Sequence, residues 1–115
     1  MSSQIILDFG TFVLHARLFD LPVCEALVKI LPAAVELTSW GGELYGPLPL
    51  SCSETGKLVP AIPPGGIAYS YRGPYLCIFF GQTPAWPVEH IGKIEGNEWE
   101  RLKSVSIDKV IIRGA

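Results

Sequence analysis

The run Tyr75-Leu76-Cys77-Ile78-Phe79-Phe80 decides the fold class, because every position in it is apolar or aromatic. A strand with apolar side chains on both faces is covered on both sides, so we expect a central strand here. The turn Arg72-Gly73-Pro74 precedes this run, and Ile67–Tyr71 before the turn has the composition of a strand. The two segments predict a β-hairpin within a larger sheet.

A second hairpin is predicted near the N-terminus, where Gln4–Phe9 and Phe12–Phe19 flank Gly10-Thr11. Glycine at the first position of a two-residue loop suits a type II′ turn. The resulting register makes one face of the hairpin strongly apolar. It pairs Phe9 with Phe12, Leu7 with Leu14, and Ile5 with Ala16.

A helix is predicted over Asp20–Leu31, and we expect it to pack over one open end of a β-barrel formed by the strands. Asp20 suits the N-cap, Pro22 suits the first turn, and Pro32 stops the helix. A single helical turn capped by Asn97 is expected through Glu98–Leu102. The apolar stripe of the first helix has helical spacing. It consists of Val23, Leu27, Ile30 and Leu31.

The rest of the chain predicts further short strands within one domain of residues 1–115. Gly46–Gly66 is rich in proline, which cannot donate to a β ladder, so this segment predicts loops and edge strands. Leu48–Cys52 and Leu58–Ile62 are candidates for those edge strands. Many short strands with one or two helices are typical of a barrel plugged by helices. The other predicted strands cover residues 34–38, 43–45, 91–94 and 107–112.

Composition and charge exclude several classes of protein. Apolar residues make up 49% of the chain, the net charge is −2, and no run of Lys or Arg occurs, which argues against disorder and nucleic-acid binding. No apolar stretch reaches the roughly 18 residues of a membrane span, and no secretory signal is apparent, so a cytoplasmic protein is expected. Three widely spaced cysteines favour reduced thiols over a disulfide framework.

Three segments resemble the cyclophilin-like family of small bacterial and archaeal proteins. They are Trp40-Gly41-Gly42-Glu43-Leu44-Tyr45, then Cys77-Ile78-Phe79-Phe80-Gly81-Gln82-Thr83-Pro84, and Ile91-Gly92-Lys93-Ile94. The resemblance implies a mainly β fold: a closed cyclophilin-like barrel of about eight strands with one main helix and one short helix. The family has no established activity, and a shared fold does not carry function.

The residues argue against catalysis. The Phe-His-Arg segment of catalytic cyclophilins is missing, and Arg17 and Arg72 are candidates by residue type only. We therefore expect negligible prolyl isomerase activity in a protease-coupled peptide assay. Glu89 and His90 have no second His or Cys at metal-ligand spacing, so neither a metal nor a cofactor is expected.

Four residues form the candidate binding site: Trp40, Glu43, Tyr45 and Phe80. The two amphipathic aromatics offer rigid contact area, and the carboxylate is costly to bury without a partner. We expect non-catalytic binding of a small molecule or peptide at an aromatic-lined barrel mouth. The alternatives are a prolyl isomerase with a divergent site and a protein-interaction domain. The oligomeric state is left open.

Overall fold

A computed structural model of the chain describes residues 3–50, 52 and 56–115. These residues form ten strands, one α-helix and one 3₁₀ helix. The strands are β1 (Ser3–Asp8), β2 (Val13–Leu18), β3 (Ala33–Glu36), β4 (Thr38–Trp40), β5 (Glu43–Pro47), β6 (Leu58–Val59), β7 (Gly66–Ser70), β8 (Tyr75–Phe79), β9 (Val88–Ile94) and β10 (Lys109–Gly114). The helices are α1 (Pro22–Lys29) and the 3₁₀ helix Glu98–Ser104.

The ten strands make one antiparallel sheet that curls into a nearly closed barrel. Nine strands follow the order β3-β10-β1-β2-β9-β7-β8-β5-β4, and β6 pairs with β9. The two end strands, β3 and β4, are separated only by Leu37. At this seam a Cβ on Gly46 would lie 1.8 Å from the carbonyl oxygen of Glu36, so only glycine permits the close approach. The mainly β barrel is confirmed, with more strands than the eight expected.

Both predicted hairpins are confirmed. β1 and β2 pair Leu7 with Leu14 and Ile5 with Ala16, as the apolar pattern predicts. Gly10 has a φ of 95°, which suits its place in the turn. In the second hairpin, β8 lies between β7 and β5 and is buried over most of its length.

Helix α1 is confirmed, but it is shorter than Asp20–Leu31 at both ends. The N-cap is Leu21 and not the predicted Asp20, and its apolar side chain makes no capping bond. Pro22 begins the helix, as its fixed φ favours. Val23, Cys24 and Leu27 pack into the interior core of the barrel.

The remaining boundaries differ in detail. In the Pro-rich segment, Leu58–Val59 forms an edge strand; residues 48–50 and 52 are not in a strand, and residue 51 lies outside the described part. The predicted single turn at Glu98 extends to Ser104 as a 3₁₀ helix. Asn97 donates to the Glu100 carboxylate and makes no side-chain capping bond.

None of the described helices has the length and hydropathy of a membrane-spanning helix. The three cysteines are free thiols.

A second apolar layer lies on the outside of the sheet, apart from the interior core. Opposite faces of one strand contribute to the two layers, because successive side chains point to opposite sides. Ile78 of β8 belongs to the interior core, and Cys77 and Phe79 belong to the outer layer. Residues of the outer layer border a cavity.

Candidate functional site

The cavity lies on the outer face of β5 and β8 and has a volume of about 340 Å³. Most of its lining is aromatic or aliphatic, and it holds one carboxyl and one thiol. The lining consists of Trp40, Glu43, Tyr45, Tyr75, Cys77, Phe79, Pro84, Ala85, Trp86 and Val88.

Strand pairing brings the central lining residues together. In the β5–β8 register, Glu43 is opposite Phe79, Tyr45 is opposite Cys77, and Pro47 is opposite Tyr75. Because every second residue of a strand points to the same face, these three pairs share the outer face of β5 and β8. The carboxyl and the aromatic rings therefore lie next to each other there. Leu44 and Ile78, between them, point into the barrel.

A tight contact between two glycine turns supports the cavity. A Cβ on Gly42 would lie 2.6 Å from the backbone of Gly81, so the two chains touch directly. Gly42 N donates to Gln82 Oε1 at 2.9 Å, and Phe80 N donates to the Gly42 carbonyl at 2.8 Å. The segments Trp40–Tyr45 and Cys77–Pro84 thus meet at one place in the fold.

Glu43 is buried, with an exposed fraction of 6%, and has weak partners. Gln82 Nε2 donates to Glu43 Oε1 at 3.4 Å, which is long for a hydrogen bond. The Cys77 thiol also bonds to the carboxyl. Burial raises the pKa of Glu43, and the bonds from Cys77 and Gln82 offset part of that rise.

Cys77 is a buried thiol that bonds to the carboxyl of Glu43. Burial raises the pKa of Cys77 strongly, and the neighbouring Glu43 carboxylate raises it further. Because the thiolate is the attacking form of cysteine, this environment opposes covalent catalysis. The arrangement suits recognition of a ligand.

Two tryptophans border the cavity. Trp40 is 54% exposed, and Trp86 is 36% exposed. Trp86 Nε1 donates to Ser70 Oγ at 2.9 Å, and the Arg72 guanidinium lies 5.1 Å from the centre of its indole ring. These contacts orient Trp86 from the side of the β7–β8 turn. Tyr45 and Tyr75 meet edge to face, with ring centroids 5.8 Å apart.

Three of the four expected site residues line the cavity, namely Trp40, Glu43 and Tyr45. Phe80 does not: it packs in the interior core, and Phe79 lines the cavity in its place. This cavity therefore lies on the outer face of the sheet and not at the barrel mouth, where the sequence analysis placed the candidate site. Strand alternation could have separated Phe79 from Phe80, but only once the inward face was known. Trp86 has no local sequence signal, because a loop brings it to the site.

The model of the family described as Cyclophilin-like matches residues 3–113. The chain belongs to the cyclophilin-like family. None of the curated proteins matches its sequence.

Two solved structures share the cyclophilin-like fold. The solution structure of the hypothetical protein AF2241 from Archaeoglobus fulgidus has a TM-score of 0.81 and 23% identity, over 99% of this chain and 95% of that one. A structure of McbB in complex with tryptophan has a TM-score of 0.75 and 14% identity, over 96% of this chain and 44% of McbB. The present chain thus spans less than half of McbB.

The arginines of this cyclophilin-like protein do not line the cavity. Arg17 lies 3.7 Å from a carboxylate oxygen of Glu95 on the barrel surface. Arg72 borders the cavity through Trp86 and is exposed.

Glu89 and His90 do not share a site. Glu89 pairs with Tyr69, which belongs to the interior core, and His90 pairs with Ala68, which belongs to the outer layer. Glu89 accepts the Tyr71 hydroxyl at 2.5 Å. The centroids of the His90 and Phe19 rings are 5.0 Å apart. Burial lowers the pKa of His90. Among the residues the structure describes, no three His, Cys, Asp or Glu side chains form a group that would hold a metal ion.

Proposed function

We propose that this cyclophilin-like protein binds a small molecule in the outer-face cavity and does not transform it. One observation supports the proposal above all: aromatic rings surround a buried carboxyl, Glu43, that has only weak partners. Small-molecule sites are typically apolar pockets of about 300–1,000 Å³ with a few placed polar groups. At about 340 Å³, this cavity has the volume for a ligand of one or two rings.

The chemistry of the lining favours binding over catalysis. The Cys77 thiol is held in its protonated form by burial and by Glu43. Among the described residues, the cavity lining contains no histidine, lysine or arginine to act with Glu43 as a proton-transfer or electrophilic partner. Arg72, the candidate for an isomerase, borders the cavity only from behind Trp86.

The neighbouring structure of McbB guides the choice of probes. McbB was solved with tryptophan, so tryptophan belongs in the first set of probes alongside a fragment library. At 14% identity the likeness concerns the fold, and the proposal depends on the cavity of this chain.

The test combines a fragment screen by thermal shift with the Trp40→Ala variant. Loss of the indole should weaken binding at least about fivefold, since an aromatic contact is worth about 1 kcal/mol beyond its buried area. The variant itself should keep its stability within about 0.5 kcal/mol, because Trp40 is 54% exposed. Binding is measured by titration calorimetry, and stability by urea unfolding.

Leu58→Ala is the matched control, because Leu58 is 44% exposed and does not line the cavity. It should leave the affinity of every fragment unchanged. The proposal fails if no fragment binds, or if Trp40→Ala binds the fragments as tightly as the native protein does.

A further inference from the structure

We propose that the cavity selects organic cations, with a ligand ammonium group against the Glu43 carboxylate and a flat apolar group among the surrounding rings. This inference rests on the proposed function and deepens it, because it names the chemical class of the ligand.

Glu43 has no basic partner among the residues the structure describes. Arg72 is engaged with the indole of Trp86, at the border of the cavity, and makes no ion pair with Glu43. A buried carboxylate is normally paired, so this one is an exception. Within the described part of the chain, Arg17 pairs with Glu95 and Arg113 with Asp8, and His15 Nδ1 lies 3.3 Å from Glu98 Oε1.

The present partners of Glu43 leave most of its acceptor capacity unused. An ionised carboxylate has about four lone-pair sites. Gln82 occupies one of them at 3.4 Å, and the thiol of Cys77 is a weak donor. An ammonium group brings up to three donors and a full positive charge, and charge-assisted hydrogen bonds are about twice as strong as neutral ones.

The rings around Glu43 favour the same class of ligand. Tyr45 and Tyr75 lie on the sheet, and Trp40 and Trp86 stand at the border. Aromatic faces attract cations, most strongly when the site is desolvated, and Trp is the best such partner. Arg72 on the ring of Trp86 is an instance of this attraction within the protein itself.

Other ligand classes are disfavoured by the same groups. A carboxylate ligand would meet the charge of Glu43 in a buried site, where like charges repel strongly. A neutral apolar ligand would remove Glu43 further from water and offer it no donor in return. The cavity therefore discriminates by charge more than by shape.

The experiment compares three probes that share a phenyl ring and a two-carbon chain: 2-phenylethylamine, 2-phenylethanol and phenylacetate. Calorimetry at neutral pH should show the amine binding at least tenfold more tightly than the alcohol, with the acid weakest. In Glu43→Gln, the amine should fall to within about twofold of the alcohol, because the charge that distinguishes the two probes has been removed.

Two further variants serve as controls. Glu43→Asp keeps the charge and should retain a reduced preference for the amine, which separates charge from shape. Glu25→Gln removes a carboxylate from the exposed face of α1 and should change no affinity. Thermal unfolding of each variant verifies that it is folded.

The outcomes separate the inference from the proposed function. If the alcohol binds as tightly as the amine, or if Glu43→Gln keeps the preference for the amine, the inference is wrong and the small-molecule site stands. It is also wrong if none of the three probes binds while other fragments bind in a Trp40-dependent way. If no fragment of any class binds, both proposals are wrong.

Discussion

Two buried carboxyl side chains, Glu43 and Glu89, lie in the same sheet in contrasting surroundings. Their exposed fractions are similar, at 6% and 3%. Glu89 accepts a hydroxyl from Tyr71 at 2.5 Å, whereas the donor Gln82 is 3.4 Å from Glu43. Burial alone thus does not distinguish the two carboxyls, whereas the distances to their hydrogen-bond donors do.

A glycine lies against the surroundings of each carboxyl. A Cβ on Gly56 would lie 1.9 Å from Glu89 Oε2, and a Cβ on Gly42 would lie 2.6 Å from the backbone of Gly81. A carboxylate at the end of a side chain can rotate away, but paired backbone cannot. The contact of Gly42 with Gly81, beside Glu43, is therefore more rigid than the contact of Gly56 with Glu89.

The largest effect is expected for Gly42→Ala. The added methyl group must displace the backbone of Gly81, so we expect a loss near the upper end of the roughly 1–3 kcal/mol typical of overpacking. Urea unfolding measures the loss. Gly114→Ala is the control and should stay within about 0.5 kcal/mol, because a Cβ on Gly114 meets nothing within 4 Å. If the two variants are equally stable, the contact between Gly42 and the backbone of Gly81 is not rigid.

The next effect is expected for Tyr71→Phe. This change removes the hydroxyl bonded to Glu89 and leaves a buried carboxylate without that donor, at a cost of about 2 kcal/mol. Tyr75→Phe is the matched control and should cost less than about 0.5 kcal/mol, since it breaks no hydrogen bond of the described residues. If Tyr71→Phe and Tyr75→Phe shift the midpoint of urea unfolding equally, the hydrogen bond from Tyr71 to Glu89 does not stabilise the fold.

The smallest effect concerns pH and the change Glu43→Gln. Burial raises the pKa of Glu43 above its ordinary value of 4.5. A carboxyl with a raised pKa stabilises the folded state below pH 4.5, and this contribution is lost as the pH rises through the raised pKa. The native protein should therefore lose stability relative to Glu43→Gln as the pH increases above 4.5.

Urea unfolding at a series of pH values measures this difference, and subtraction cancels groups that both proteins share. His90 is such a group: burial lowers its pKa, so its contribution is lost on acidification below 6.5. A difference that favours the native protein as the pH rises would show that Glu43 has a stronger partner than Gln82.

Local sequence by itself determined the hairpins, the central strand and the position of the main helix. The β1–β2 register follows from Gly10 and the alternating apolar residues, and Pro22 and Pro32 bracket the helix. These features depend on turn chemistry and on side-chain period, which act over a few residues. The cyclophilin-like segments also identified the strands that carry Glu43 and Tyr45.

Tertiary structure alone decided the location of the site and the partners of its groups. Tyr75–Phe80 is apolar on both faces, so its pattern does not reveal that Phe79 faces the cavity and Phe80 the core. The closure of the barrel beside Leu37 settles which face points inward. Loop closure brings Trp86 to Glu43, and sheet pairing places Tyr71 beside Glu89. Such contacts join residues far apart in sequence, and no local period records them.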